Sequence, residues 1–315
     1  MTTATISAPS EDARIARYRQ AERALWEHYG LEPAERFVEV GSPPVRIRVV
    51  EVGSGPPVLF AHGTAGNGPA FAALMKELAD YRCLLMDRPG WGLSSAIQYS
   101  ADTFGPVVAD LQRDVLDALG VEHADVVGHS IGGVFALRLA LHHPARVGHV
   151  VLLGAGPMVQ EVNAPTLIRL IASPLGAVLL RLIRRRGPTT SMVRGSGHGA
   201  SVDDGRIPDV FIEWRTAVNR ETASMRHERA MVRALVGRRG WRPGLTFSDA
   251  ELAAIAQPTL MLYGTADSVG SPSIWRRVMD VLPKGRLSIV EGAGHMLWLD
   301  EPSRVAMEMR AFLAG

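Results

Sequence analysis

The sequence predicts an α/β protein: a mostly parallel central sheet, helices on both of its faces, and one large insertion. Short apolar runs alternate with amphipathic helical stretches along the chain, which is the pattern of parallel strands joined by crossover helices. The alternation breaks once, between Gly154 and Ser248. Length agrees, since 315 residues, 47% of them hydrophobic and 21% charged, can bury the core of one large domain.

Residues 1–9 read as a loose tail. Ser10 then fits an N-cap, with Glu11 and Asp12 in the first turn, where carboxylates favour the helix dipole. Ile15, Tyr18, Leu25, Trp26 and Tyr29 share one helical face, so 11–29 is predicted helical. That face could cover a sheet edge or meet a second subunit, which leaves a homodimer open. The stretch 45–49 alternates with period two, as a half-buried strand does. The stretches 57–61, 83–86, 125–128, 150–153 and 259–263 are continuous apolar runs, the mark of strands buried on both faces. A strand at 286–290 ends the series, and helices are expected at 69–79, 103–119, 131–143, 273–282 and 301–313. The resulting division is 1–36 (tail and first helix), 37–154 with 249–315 (core), and 155–248 (insertion).

The insertion differs in charge. It holds 15 Arg against 7 Asp and Glu, a balance of +8 in a chain whose net charge is +2, which leaves −6 elsewhere. Residues 167–183 are mostly aliphatic, broken by Pro174 and Gly176, and run into Arg184, Arg185 and Arg186. Residues 187–206 are turn formers without periodicity and are expected to be a mobile loop. Helical spacing returns from Val210 to Val236, with Trp214 and Met231 at apolar positions.

Several classes are excluded. The small net charge and ordinary apolar content argue against global disorder. Cys83 is the single cysteine, so no disulfide framework exists. The first twenty residues lack the apolar region of a secretory signal, and no stretch reaches the roughly 18 apolar residues of a spanning helix. A soluble, cytoplasmic protein is the expectation. No interleaving of basic and aromatic residues suggests nucleic acid. The arginines at 184–186 leave weak contact with a membrane surface open, beside the simpler reading of a solvated charge run.

The chemistry concentrates after the strands. Gly128-His129-Ser130-Ile131-Gly132-Gly133 lies between a buried strand and an apolar-periodic helix. A nucleophile on so tight a turn needs small neighbours two residues away, which Gly128 and Gly132 supply. The Ile131 N–H, at the helix start, could receive a developing oxyanion. A serine hydroxyl is a weak nucleophile without a base, and ten histidines compete for that role. His142 and His143 suit a helix end, His198 lies among glycines, and His129 would turn its side chain elsewhere. His295 follows the strand at 286–290 through a Gly-rich turn, at the sheet end where the sites of open α/β folds gather. Asp267 follows the run at 259–263 in the same way, as an orienting acid or as a plain turn former. His62-Gly63-Thr64-Ala65-Gly66 offers the Thr64 N–H as a second oxyanion donor, or is simply a Gly-rich turn. Asp87-Arg88-Pro89-Gly90-Trp91-Gly92-Leu93-Ser94 reads as a structural turn with Trp91 able to line a pocket; His129, Trp214 and Met296 complete the candidate substrate contacts.

Taken jointly and in the order Ser130, Asp267, His295, these motifs resemble the α/β-hydrolase fold, in its capped form with a serine nucleophile. The resemblance covers about 38–154 and 249–315. It implies a triad of Ser130, Asp267 and His295, an oxyanion hole from Ile131 and Thr64, a helical cap at 155–248, and no cofactor or metal. Similar haloalkane dehalogenases and epoxide hydrolases attack with a carboxylate, whereas position 130 is Ser, and the cap holds no Tyr to protonate an epoxide oxygen. Proline iminopeptidases would carry Trp after the nucleophile and clear acidic cap residues. The expected activity is hydrolysis of a carboxylic ester of a small or medium, largely apolar substrate through an acyl-enzyme. Carbon–carbon bond hydrolases of ring-cleavage pathways, lactonases and thioesterases share the triad, although His129 stands where the first of these commonly have a small residue. The fold also hosts ligand receptors and scaffolds with little turnover.

Overall fold

A computed structural model describes residues 10–64, 66–154, 156, 158–164, 166–186, 189–237, 240–242 and 244–315, with backbone alone at 167, 183–186 and 189. The tail expected at 1–9 lies outside these residues. In chain order the strands are β1 (Ala34–Val40), β2 (Val45–Val52), β3 (Pro57–Ala61), β4 (Arg82–Met86), β5 (Ala124–His129), β6 (Val147–Leu153), β7 (Val236–Gly237), β8 (Gly240–Trp241), β9 (Thr259–Gly264) and β10 (Gly285–Val290). Eight of them form one sheet in the order β1-β2-β4-β3-β5-β6-β9-β10; β7 and β8 make a separate two-stranded ribbon. β2 pairs antiparallel with β1 and β4, and every other pairing in the large sheet is parallel.

Packing explains the apolar runs of the central strands. Leu59, Leu84, Val126, Leu152 and Met261 enter one core layer, while their chain neighbours Phe60, Leu85, Val127, Val151 and Leu262 enter the other. A strand covered on both faces cannot alternate polar with apolar residues. Cys83 is buried in the second layer, and burial pushes its thiol up to about 12, so it is inert as a nucleophile.

The first helices are α1 (Glu11–Tyr29), α2 (Ala72–Met75), α3 (Phe104–Ala118) and α4 (Ile131–His142). Ser10 caps α1 as expected, its Oγ accepting from Ala13 N at 3.2 Å. The apolar face of α1 is covered within the chain: Tyr18, Leu25 and Trp26 are buried, and Arg17 pairs with Glu221 at 2.6 Å. The single helix expected at 69–79 is broken into 3₁₀ turns around the four-residue α2. Strand β1 has no counterpart in the sequence reading. It begins at Ala34, ahead of the boundary placed at 36, and its edge position leaves much of it exposed and without an apolar pattern.

Residues 155–248 contribute α5 (Thr166–Ala172), α6 (Gly176–Arg186), α7 (Thr189–Val193), α8 (Gly199–Asp203), α9 (Asp209–Glu221) and α10 (Ser224–Leu235). The mobile loop expected at 187–206 is overturned: α7, a π turn at Arg194–His198 and α8 occupy most of its described length. Composition misleads here because tertiary bonds, treated below, hold these turns where propensity alone would not. Gly187 and Pro188 lie outside the described residues, as do the side chains of Arg184, Arg185 and Arg186. The core resumes with α11 (Asp249–Ala253), α12 (Pro272–Val281), α13 (Leu297–Asp300) and α14 (Pro302–Leu313).

Candidate active site

Ser130 sits between β5 and α4 with φ 54° and ψ −123°, and it is the one non-glycine at positive φ among the described residues. Such a conformation costs about 1–3 kcal/mol and persists only where its surroundings impose it. The surroundings are visible. A side chain at Gly128 would strike the Gly132 carbonyl, and one at Gly132 would strike the Ala61 carbonyl of β3. The glycines thus let the strand, the turn and the helix meet closely enough to hold Ser130 at the tip.

His295 and Asp267 meet across two loops that follow β10 and β9. His295 Nδ1 donates to Asp267 Oδ2 at 2.9 Å, and the Asp267 side chain is fully buried. Asp267 Oδ1 accepts from Val269 N at 2.8 Å, so the carboxylate is held at both ends. With its Nδ1 proton committed, the imidazole keeps an Nε2 lone pair for a proton on the other side. Ser130, His295, Thr64 and Ile131 all line one cavity of about 150 Å³. The structure therefore brings the three expected triad residues and both expected oxyanion residues to one place. Thr64 belongs to a loop that presses on the turn: a Cβ on Gly63 would approach Ser130 Cβ to 3.0 Å.

That loop is anchored by buried polar groups. His62 Nε2 accepts from Arg88 N at 2.9 Å, and its Nδ1–H donates to Gly63 O at 2.8 Å, bonds only a neutral ring can make. Burial, reinforced by the Arg88 charge, holds the His62 pKa well below its ordinary value. Arg88 also donates to Gly63 O at 3.1 Å. Asp87, buried beside Arg48, accepts from Gly68 N at 2.8 Å and Leu93 N at 3.2 Å, so residues 87–94 are the structural turn expected of them.

The remaining cavity wall comes largely from the insertion: Val162, Ile168, Glu228, Met231, Val232 and Leu235, with Trp241. The four expected substrate contacts are not on it. His129 is buried, its ring 4.8 Å from that of His295 and 4.7 Å from that of Trp298; burial first, then the neighbouring imidazole of His295, keeps its pKa well below normal. Trp91 is buried and donates to Glu228 Oε2 at 2.7 Å. Trp214 packs on Phe211 at 5.4 Å on α9, a helix that faces α1. Met296 is buried and offers its backbone N–H to His198 Nε2 at 3.0 Å. Each has bulk near a motif, but bulk here fills the space behind the site.

Sequence reasoning misses two residues that carry weight. Glu228 lies on α10 with Oε1 accepting from Thr64 Oγ1 at 2.8 Å and Oε2 3.6 Å from Arg88 Nη2. Its signal is in the sequence, since 228, 231, 232 and 235 follow the i, i+3, i+4, i+7 spacing of one helical face, an acid on an apolar stripe. His198, expected in a mobile loop, is fully buried, and its Nδ1–H donates to Asp300 Oδ2 at 2.8 Å. Among the described residues no group of three His, Cys, Asp or Glu is gathered to hold a metal ion, and no helix is long and apolar enough to cross a membrane.

A model of the family described as "alpha/beta hydrolase fold" matches residues 56–184. The chain is 29% identical over 292 residues to a 2-hydroxymuconate semialdehyde hydrolase of Pseudomonas sp. (strain CF600), covering 88% of this chain and 93% of that protein. Carboxylesterase CesB from Bacillus subtilis superposes with a TM-score of 0.71 at 20% identity, over 96% of this chain and 98% of that one. A serine hydrolase of carbazole degradation, the CarC enzyme, gives 0.70 at 22% identity, over 90% and 99%.

Proposed function

We propose that this chain, an α/β-hydrolase-fold protein, is a serine hydrolase acting on small, neutral carboxylic esters. The observation that carries the reading is the His295–Asp267 bond at 2.9 Å beside the cavity that Ser130 and His295 line. Ser130 Oγ attacks the ester carbonyl while His295 Nε2 takes its proton, and Asp267 fixes the tautomer and steadies the imidazolium. The N–H groups of Ile131 and Thr64 receive the oxyanion, a contribution of about 3 kcal/mol per donor in comparable sites. His295 then protonates the leaving alkoxide, the acyl-enzyme forms, and a water deprotonated by His295 releases the acid.

The wall argues for the substrate class. Its described side chains are apolar except for Thr64, Ser130, His295 and the Glu228 carboxylate, and no arginine or lysine is among them. Glu228 lines the cavity and its partner Arg88 does not, although both side chains are buried, so an entering anion finds no cation on the wall. Such a wall disfavours anionic substrates. The volume, about 150 Å³, is below the roughly 300 Å³ at which drug-sized sites begin, which favours a short acyl group. The second reading, a carbon–carbon bond hydrolase, is favoured by the Pseudomonas relative.

Fluorophosphonate labelling of the wild type and of Ser130→Ala, with a p-nitrophenyl ester chain-length series run beside 2-hydroxymuconate semialdehyde, tests both. Ser130-dependent labelling with repeated turnover of short esters is expected. Turnover of the semialdehyde in preference to every ester would establish the second reading, and labelling that survives Ser130→Ala would remove the mechanism.

A further inference from the structure

Four of the six large apolar side chains that are exposed among the described residues lie on one helical hairpin, α5–α6: Leu170, Leu175, Val178 and Leu182. Leu175 is 74% exposed and Val178 53%. Along α6 and the turn before it, positions 175, 178 and 182 recur at i, i+3 and i+7 and make one outward strip, while Gly176 and Leu180 are buried on the opposite side. The strip is not an accident of fraying, because Ile171 and Leu180 are packed and Arg229 Nη2 of α10 donates to the Ser173 carbonyl in the connecting turn at 3.2 Å. Arg169 and Arg181 are exposed beside it. Residues 166–186 contain five Arg and no Asp or Glu.

We propose that the α5–α6 hairpin docks on an anionic lipid surface. An apolar strip flanked by arginine is the pattern of a helix lying in the headgroup plane, its leucines in the acyl boundary and its cations on the phosphates. Sequence charge agrees with this occupant: the insertion carries +8 and the remainder −6, so the hairpin belongs to the cationic part of the chain. A second copy of this chain is the poorer occupant. A twofold contact through the same strip would bring Arg169 and Arg181 against their own copies, with no acid in the segment to answer them. Ile168, on α5, lines the cavity beneath, so the docked surface lies over the site.

The test is flotation of the full chain with vesicles of phosphatidylcholine alone and of phosphatidylcholine mixed with phosphatidylglycerol, at low and high salt. Binding to the mixed vesicles only, weakened by salt, is expected. Leu175→Ser with Val178→Ser should weaken it by about tenfold per side chain, and Arg169→Gln with Arg181→Gln by about fivefold per charge. Circular dichroism and melting should be unchanged at these exposed positions, and Leu175→Ser alone is the fallback if the pair fails to fold. No flotation, flotation indifferent to phosphatidylglycerol, or flotation unaffected by these substitutions would overturn the proposal. So would a concentration-dependent dimer that Leu175→Ser with Val178→Ser abolishes in a protein that does not float.

Discussion

His198 and Asp300 join the insertion to the loop that carries His295. The imidazole donates from Nδ1 to Asp300 Oδ2 at 2.8 Å and accepts the Met296 N–H on Nε2 at 3.0 Å, one residue from His295. Asp300 Oδ2 also takes Gly294 N at 2.8 Å, on the other side of His295, and Ser201 Oγ donates to Oδ1. His295 N itself donates to Ser196 O at 2.9 Å. Gly197, at φ 93°, permits the approach, because a side chain there would strike the Ala266 carbonyl, next to Asp267. Burial opposes charge on Asp300, but the bonds from His198, Ser201 and Gly294 outweigh it and hold its pKa below the ordinary carboxylate value.

His198 is thus a positioning residue for His295. His198→Ala is expected to lower kcat by about ten- to a hundredfold with little change in KM, since a displacement of about 1 Å can cost a hundredfold. Steady-state kinetics on a short ester checks the split, and a double-mutant cycle with Asp300→Ala checks the coupling. An unchanged kcat in a folded variant would refute the role.

Ser130 stores strain that is separable from its chemistry. Ser130→Ala keeps the unfavourable φ and should lower kcat by at least about 10⁴-fold. Ser130→Gly should lower it equally, yet be more stable than Ser130→Ala by about 1 kcal/mol because glycine accepts positive φ. Urea unfolding of the two variants measures the difference.

Glu228 ties α10 to Thr64. Glu228→Ala leaves Arg88 buried without its counter-charge, and a loss of about 3–5 kcal/mol in chemical unfolding is expected. Glu228→Gln keeps the volume and removes the charge. If the carboxylate excludes anions, this variant should raise kcat/KM for a carboxylate-bearing ester relative to its neutral analogue by about tenfold.

His62 and His129 are buried, with pKa values held well below normal. Both are neutral in the folded chain, while an unfolded chain protonates them near pH 6.5, roughly the ordinary imidazole value. The unfolded state then binds more protons, so stability should be flat above about pH 7 and fall as pH drops through 6.5, by about 1.4 kcal/mol per pH unit per histidine. His129→Asn should reduce that slope by about one proton in denaturant titrations between roughly pH 5 and 8.

The central strands and the loops bearing Ser130, Asp267 and His295 were legible because each depends on a local pattern: a doubly buried run, then a turn at its carboxyl end. The edge strand β1 was not, because an exposed edge carries no apolar code. Nor was the 194–203 segment. Its order comes from Asp300, far along the chain, as the His198 bond spanning 102 positions makes plain. The wall residues Glu228, Met231, Val232 and Leu235 were written as a helical face, but which way that face turns is a tertiary fact.

Because Glu228 steadies the Thr64 loop and Ser196 and His198 grip the His295 loop, residues 155–248 act as part of the frame rather than as a detachable cover. Synthesis runs from the amino end, so Ser130 and the helices above it emerge well before Asp267, His295 and Asp300. On the proposed mechanism a nascent chain therefore holds Ser130 without His295 until the last strand has left the ribosome, and exchange of this segment between relatives would carry with it the bonds that hold the Thr64 and His295 loops.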